Sequence, residues 1–179
     1  MTDHGEDTWA FLQRLPDYRA AWLAHAALPE FEPAPFPVRV QTEDDLAAAG
    51  PWSLLAWQNP GAAGNGLASP FWDGVPMLEA IVSRRAAPLL PLLEEVGASV
   101  AGLRLRDGLL VLRIVQGGAA AQLLVECDRP FAAGDGLRVF LDVDLRLSVR
   151  IGQLRDLWNV VGGPAPRRGR VRGAGLGKY

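Results

Sequence analysis

The sequence is short of the residues that most chemistry needs. It has one cysteine and two histidines among 179 residues. Cys127 therefore has no internal disulfide partner, and a reducing cytosol is the expected compartment. His4 and His25 stand apart from each other and from Cys127, so no zinc ligand set is expected and no cofactor is implied. No Gly-x-Ser-x-Gly elbow occurs. No run of 18 apolar residues occurs, so no membrane span is expected. No basic start followed by an apolar stretch marks a secretory signal. With Cys127 read as a small core residue and His25 as a ring at a helix end, no residues are left to carry hydrolase or transferase chemistry, and no catalytic residue is assigned.

Abundant instead are glycine (20), proline (14) and hydrophobic residues (49%). These imply a sizeable core with long irregular connections. The formal net charge of -2 hides a split. Residues 1–45 carry nine acids and three arginines, and residues 146–179 carry eight bases and one acid, about -6 and +7 by formal count. A cationic strip on a mildly acidic chain points to a localised site.

Periodicity divides the chain. Thr8 to Ala27 reads as a helix interrupted at Pro16, with Tyr18, Trp22 and Ala26 on one face. Four prolines between Pro29 and Pro37 make an extended linker. Val38 to Val40 reads as a short strand, Thr42 to Ala49 as a brief helix, Trp52 to Trp57 and Met77 to Val82 as strands, and Ala87 to Glu95 as a short helix. Leu103 to Val115 alternates around Asp107-Gly108, a pair suited to a tight turn in which both central residues take positive φ. Gln122 to Cys127 and Leu137 to Leu141 follow as strands. From Asp144 to Val161, the residues Leu147, Ile151, Leu154, Trp158 and Val161 advance by 4, 3, 4, 3 and form one apolar stripe, with Asp142 or Asp144 as the cap. The glycines after Val161 stop that helix.

The expected fold class is α+β. It comprises an N-terminal helix, an antiparallel sheet of three to five strands with an Asp-Gly hairpin, one C-terminal amphipathic helix and a flexible basic tail. The expected division is 1–28 (helical docking module), 29–51 (Pro-rich linker and short helix), 52–163 (α+β domain) and 164–179 (disordered basic tail).

Several motifs have a plainer explanation than chemistry. Gly173 to Lys178 looks like a phosphate loop but lacks a preceding strand and a Ser/Thr after the lysine. Asp142 and Asp144 suit helix capping, and no third metal ligand accompanies them. Trp9, Phe11, Trp52, Trp57, Phe71 and Trp72 lack the interleaved bases of a nucleic-acid platform, so core or domain contact is expected for most. The arginines leave two readings open. Arg146, Arg150, Arg167, Arg168, Arg170 and Arg172 could hold DNA phosphate in bidentate forks, or form a solvated face and a tail that folds onto the acidic N-terminal segment.

The run Trp9-Ala-Phe11-Leu12-Gln-Arg14-Leu-Pro-Asp17-Tyr18-Arg19 resembles the short N-terminal segment of a proteobacterial regulator family encoded largely on integrative and conjugative elements. Trp52-Ser-Leu-Leu with Asn59-Pro60, then Pro70-Phe71-Trp72, the region Leu103 to Val125 and the helix Asp144 to Trp158 follow in the order seen in that family. The resemblance implies a transcriptional activator of transfer genes, or an activator component, with DNA among its partners. Its N-terminal module would dock on a C-terminal domain of extended-turn helix-turn-helix type. The alternative it implies is an antiactivator, an interaction module that does not bind DNA. Trp9, Leu12, Tyr18 and Trp22 would then form the protein-docking surface. The chain passes into an Arg/Gly-rich tail where longer relatives continue with recognition helices, which fits a first part whose helix-turn-helix partner is encoded downstream.

Overall fold

In the computed structural model, the described residues are 4–61, 70–117, 119–140 and 147–161. The chain opens with two helices, α1 (His4–Leu12) and α2 (Pro16–His25). Pro16 stands at the first turn of α2, where its missing N–H is no loss. Strands β1 (Glu30–Glu32) and β2 (Val38–Val40) follow, then a wide helical turn over Asp45–Ala49 and a 3-10 turn over Gly50–Trp52. The rest is β3 (Leu78–Ser83), α3 (Leu89–Glu95), β4 (Ser99–Arg104), β5 (Leu110–Gln116), β6 (Ala119–Glu126), β7 (Gly136–Phe140) and α4 (Leu147–Val160).

All seven strands join one sheet in the order β1-β2-β4-β5-β6-β3-β7. The α+β class stands, but the sheet is larger than the three to five strands expected, and it is mixed. β2 runs parallel to β4, and β3 runs parallel to β6. Hairpin reasoning extends a sheet only through antiparallel neighbours. Parallel pairs need long crossovers, which leave no local signature. Trp52 to Trp57 is not a strand of this sheet; it makes one isolated bridge, Leu54 to Trp72.

β4 and β5 are antiparallel neighbours joined through Leu105 to Leu109. The Gly108 amide donates to the Leu105 carbonyl (3.0 Å), and the Leu105 amide donates to that of Leu109 (2.8 Å). Gly108 alone takes positive φ in this loop, at 92°. Both central residues of a two-residue I′ turn would need it, so the loop is a longer one closed by a left-handed glycine.

β5 is the central strand, and Leu110, Val111, Leu112, Arg113 and Ile114 are all buried. On one face Val38, Leu78, Val100, Leu112, Ile114, Leu123 and Val125 pack with Leu89 and Leu93 of α3, Phe131, and Val160 of α4. On the other face Leu103 and Val111 pack beneath Ala56 and Phe71. Above them α1 and α2 close over Leu54, Trp57 and Trp72. The N-terminal helices thus share one apolar cluster with Ala49, Trp52, Leu54, Trp57 and Trp72. Asp142, Asp144 and the tail expected at 164–179 lie outside the described residues.

Candidate functional site

Trp9, Leu12 and Tyr18 are not a docking surface for another molecule. All three are buried, Tyr18 completely, in the cluster with Ala49, Leu54, Trp57 and Trp72. Trp22 packs against the same cluster and is half-buried. The physical reason is that the chain supplies its own partner. The Tyr18 hydroxyl donates to the Gln58 carbonyl at 2.6 Å, and its ring meets Trp9 and Trp52 edge-on at 5.8 and 5.3 Å between centroids. Burial pushes its hydroxyl up from 10.0 to about 12, against the opposing pull of the Gln58 backbone bond and the Arg39 charge.

Beside this cluster Asp45 is fully buried and heavily bonded. Its Oδ1 accepts from Arg39 Nη2 (2.8 Å) and the Trp57 amide (2.6 Å). Its Oδ2 accepts from Arg39 Nη2 (3.1 Å), the Thr42 amide (2.8 Å) and the Thr42 hydroxyl (3.0 Å). A carboxylate offers about four lone-pair positions, so Asp45 is saturated. Arg39 Nη1 donates to the Trp57 carbonyl. Two N–H groups here remain without an acceptor among the described residues: Arg39 Nε and Trp57 Nε1. An unpaired buried donor costs about 1–3 kcal/mol.

Arg39 and Trp57 are part of the wall of a pocket of about 640 Å3 on the outer side of β2 and β4. Most of the wall is apolar. Leu28 and Phe31, which also line it, are 90% and 60% exposed. A second pocket, about 390 Å3, lies between α4 and the start of β6 and includes Trp72, Asp73, Arg113, Gln122, Gln153 and Asp156. There Gln122 bonds both backbone groups of Trp72, at 2.8 and 3.0 Å. The Trp72 indole N–H and the Gln153 Oε1 have no partner among the described residues. Residue types alone did not single out either pocket, because their polar groups come from distant parts of the chain.

Three residues of the apolar stripe of α4 do not pack on the sheet. Ile151, Leu154 and Trp158 are 54%, 38% and 54% exposed. The helix rests on the sheet through Leu157 and Val160 instead. Of the expected phosphate-binding arginines, Arg150 falls within α4, but its side chain lies outside the described part of the structure. Arg146, Arg167, Arg168, Arg170 and Arg172 lie outside the described residues altogether.

Other ionic groups hold the fold. Arg104 Nε and Nη2 bond the Glu32 carboxylate at 3.1 and 2.9 Å, tying edge strand β1 to β4, and this pairing raises the arginine further. Arg129 grips Asp135 with two bonds of 2.7 Å. The Cys127 thiol is buried and donates to the Arg129 carbonyl at 2.8 Å. Among the described residues no three His, Cys, Asp or Glu side chains cluster as metal ligands would, and no helix is long and apolar enough to cross a membrane.

No family model and no curated protein matches the chain. The exposed apolar face of α4 and the two pockets are features of the described structure that offer surface to another molecule.

Proposed function

We propose that this chain is a cytoplasmic regulator of transfer-gene transcription that works by contact with a helix-turn-helix partner, aided by phosphate contacts from its arginine-rich C-terminal sequence. The observation that carries the reading is the outward apolar stripe of α4. A stripe with helical spacing and three large exposed side chains is of the kind that docks against another helix. The surrounding sequence supports the choice of partner. Residues 146–179 hold eight bases against one acid, which suits a partner already seated on a polyanion. Trp9, Leu12 and Tyr18 have no part in this contact, since their side chains are committed to the protein's own core.

The test is a gel-shift titration with transfer-gene promoter DNA over a salt series, run with and without the product of the adjacent gene, which this reading expects to be a helix-turn-helix protein. The partnered complex is expected to lose affinity as salt rises, by about 0.9 in log K per log salt for each phosphate contact. Salt-independent affinity removes the phosphate contacts. Stable capture of the partner with no DNA shift assigns the chain to the contact-only, antiactivator reading. Failure to capture the partner overturns the proposal.

A further inference from the structure

The sheet ends on two edge strands that differ in kind. β1 is three residues long, carries Glu30 and Glu32, and sits between Pro29 and Pro33. Short length, charge and proline are devices that keep an edge from pairing. Of these, β7 has only one charge, Arg138. It is five residues long and holds no proline, and its outer side has no partner strand among the described residues. Leu137 and Val139 pack toward α3 and α4. Arg138 and Phe140 alternate onto the other face, where Arg138 is exposed and Phe140 is 48% exposed. The ground beside them is acidic. Glu79 is the β3 neighbour of Phe140, and Glu126 stands beyond Ile81, the β3 neighbour of Arg138. Both carboxylates are exposed and line a cleft of about 280 Å3 with Ile81, Leu124 and Phe140. Neither they nor Arg138 form an ion pair among the described residues.

We infer that β7 pairs antiparallel with β7 of a second copy of this chain, with Arg138 opposite the partner's Phe140 and Val139 opposite the partner's Val139. Symmetry and chemistry select this register. The two-fold axis stands perpendicular to the sheet, so a residue of the acidic face must oppose a residue of that same face. Arg138 opposite the partner's Arg138 sets like charges side by side, which destabilises a strand pair. That register, and the one that pairs Arg138 with Gly136, also bring a side chain beside Gly136, where Ala86 and Ala87 already fill the space of a Cβ. A register centred on Phe140 leaves no other residue of β7 paired. With Arg138 opposite the partner's Phe140, the guanidinium lies on an aromatic ring and reaches toward the partner's Glu79, the next residue across the sheet. The two-fold axis makes this contact twice, so the acidic cleft of each copy receives the other's arginine. This charge complementarity of the edge with itself favours a second copy over an unrelated strand. The stripe of α4 belongs to the opposite side of the sheet, so the inference is independent of the partner contact argued above.

The test is sedimentation velocity of the full chain over a series from micromolar to near-millimolar concentration. The parent is expected to pass from monomer to dimer within that range, as a short edge contact allows. Arg138→Glu sets a carboxylate against the partner's Glu79, and Phe140→Lys sets a cation against the partner's Arg138. Each is expected to weaken self-association at least about tenfold. Both residues are exposed, so each variant should keep the parent's circular dichroism. Mixed in equal amounts, the two variants are expected to regain the parent's association. The introduced carboxylate then faces the introduced ammonium across one half of the contact, and unaltered residues meet across the other. Glu79→Arg, exposed on the neighbouring strand, takes the place of Phe140→Lys should that variant fail to fold. The inference is overturned if the parent stays monomeric throughout, if either folded variant dimerises as the parent does, or if the mixture does not regain association.

Discussion

Arg39 Nη2 reaches both carboxylate oxygens of Asp45, at 2.8 and 3.1 Å, the carboxylate wholly buried and the arginine side chain 15% exposed. The pair does more than neutralise charge. Asp45 fixes the backbone of Thr42 and Trp57 at once, so it clips the turn after β2 to the segment that roofs the sheet. Removing one partner leaves the other charge buried and unpaired. Asp45→Ala is expected to lower unfolding stability by about 3–5 kcal/mol, read as a fall in the urea midpoint. The double variant Arg39→Met with Asp45→Leu is expected to recover only part of that loss, because the buried charge is gone but the Thr42 and Trp57 backbone groups lose these partners.

Tyr18 gives a spectroscopic handle on the same region. Its hydroxyl is held neutral by burial up to about 12, against an ordinary 10.0. The folded state therefore keeps a proton that the unfolded chain releases earlier. Tyr18 supports stability fully below pH 10.0, and that support is lost as pH rises from there through about 12. An ultraviolet titration of phenolate absorbance is expected to show a late step near pH 12 that is missing in Tyr18→Phe. The variant also forfeits the 2.6 Å bond to Gln58, at a cost of about 1–2 kcal/mol. A titration of the parent protein complete by pH 11 would contradict the buried hydroxyl.

Legibility in the sequence follows the range of the interactions. β5 was readable because its run of Leu, Val and Ile is local, and the break at Pro16 because a proline acts on its own helix. The mixed order of the sheet was not readable, since β2 lies against β4 some 60 residues later with no local sign of the pairing. For α4 the 4, 3, 4, 3 spacing marks a helix, yet spacing does not say which side faces the core. Leu157 and Val160 reach the sheet, while Ile151, Leu154 and Trp158 point away from it. The N-terminal aromatics misled for a related reason. A cluster of Trp, Leu and Tyr reads the same whether its partner is another molecule or the chain's own Leu54 and Trp57.

Asp135 carries the corresponding prediction in acid. Two 2.7 Å bonds from Arg129 hold its carboxyl below the ordinary 3.8, assisted by the Ala132 amide and opposed by burial. A depressed carboxyl contributes stability that is present above pH 3.8 and is lost as pH falls through its folded value. Melting temperature measured from pH 5 to pH 2 is expected to fall less steeply in Asp135→Asn than in the parent, from a lower starting point. Equal slopes would mean that the Arg129 contact does not depress this carboxyl.

Gly136 is required by space. It begins β7, and a Cβ there would overlap the Ala87 carbonyl oxygen and the Ala86 side chain. The carbonyl belongs to backbone just before α3 and cannot swing aside as a side chain would. Gly136→Ala is expected to cost about 1–3 kcal/mol through overpacking. The damage should be local at first, so hydrogen exchange should speed up at the pairing of Val82 and Ser83 with Leu137 and Gly136 before it does in β5. Uniform acceleration across the sheet would argue against that order of opening.

The exposed stripe of α4 separates binding from folding more cleanly than any other surface described here. Ile151 and Trp158 stand two helical turns apart and are each 54% exposed. Replacing exposed side chains removes little buried area, so Ile151→Ser and Trp158→Ala are each expected to shift unfolding by no more than about 0.5 kcal/mol. Val160, wholly buried against the sheet one turn from Leu157, should behave in the opposite way, with Val160→Ala destabilising by about 1–3 kcal/mol. If the stripe is the contact for a helix-turn-helix partner, Trp158→Ala should weaken capture by about thirtyfold, the loss of a tryptophan hot spot. Val160→Ala should capture the partner normally at temperatures where it remains folded. Titration calorimetry on the two variants, beside their urea curves, reads both quantities. Normal capture by Trp158→Ala would move the contact off α4.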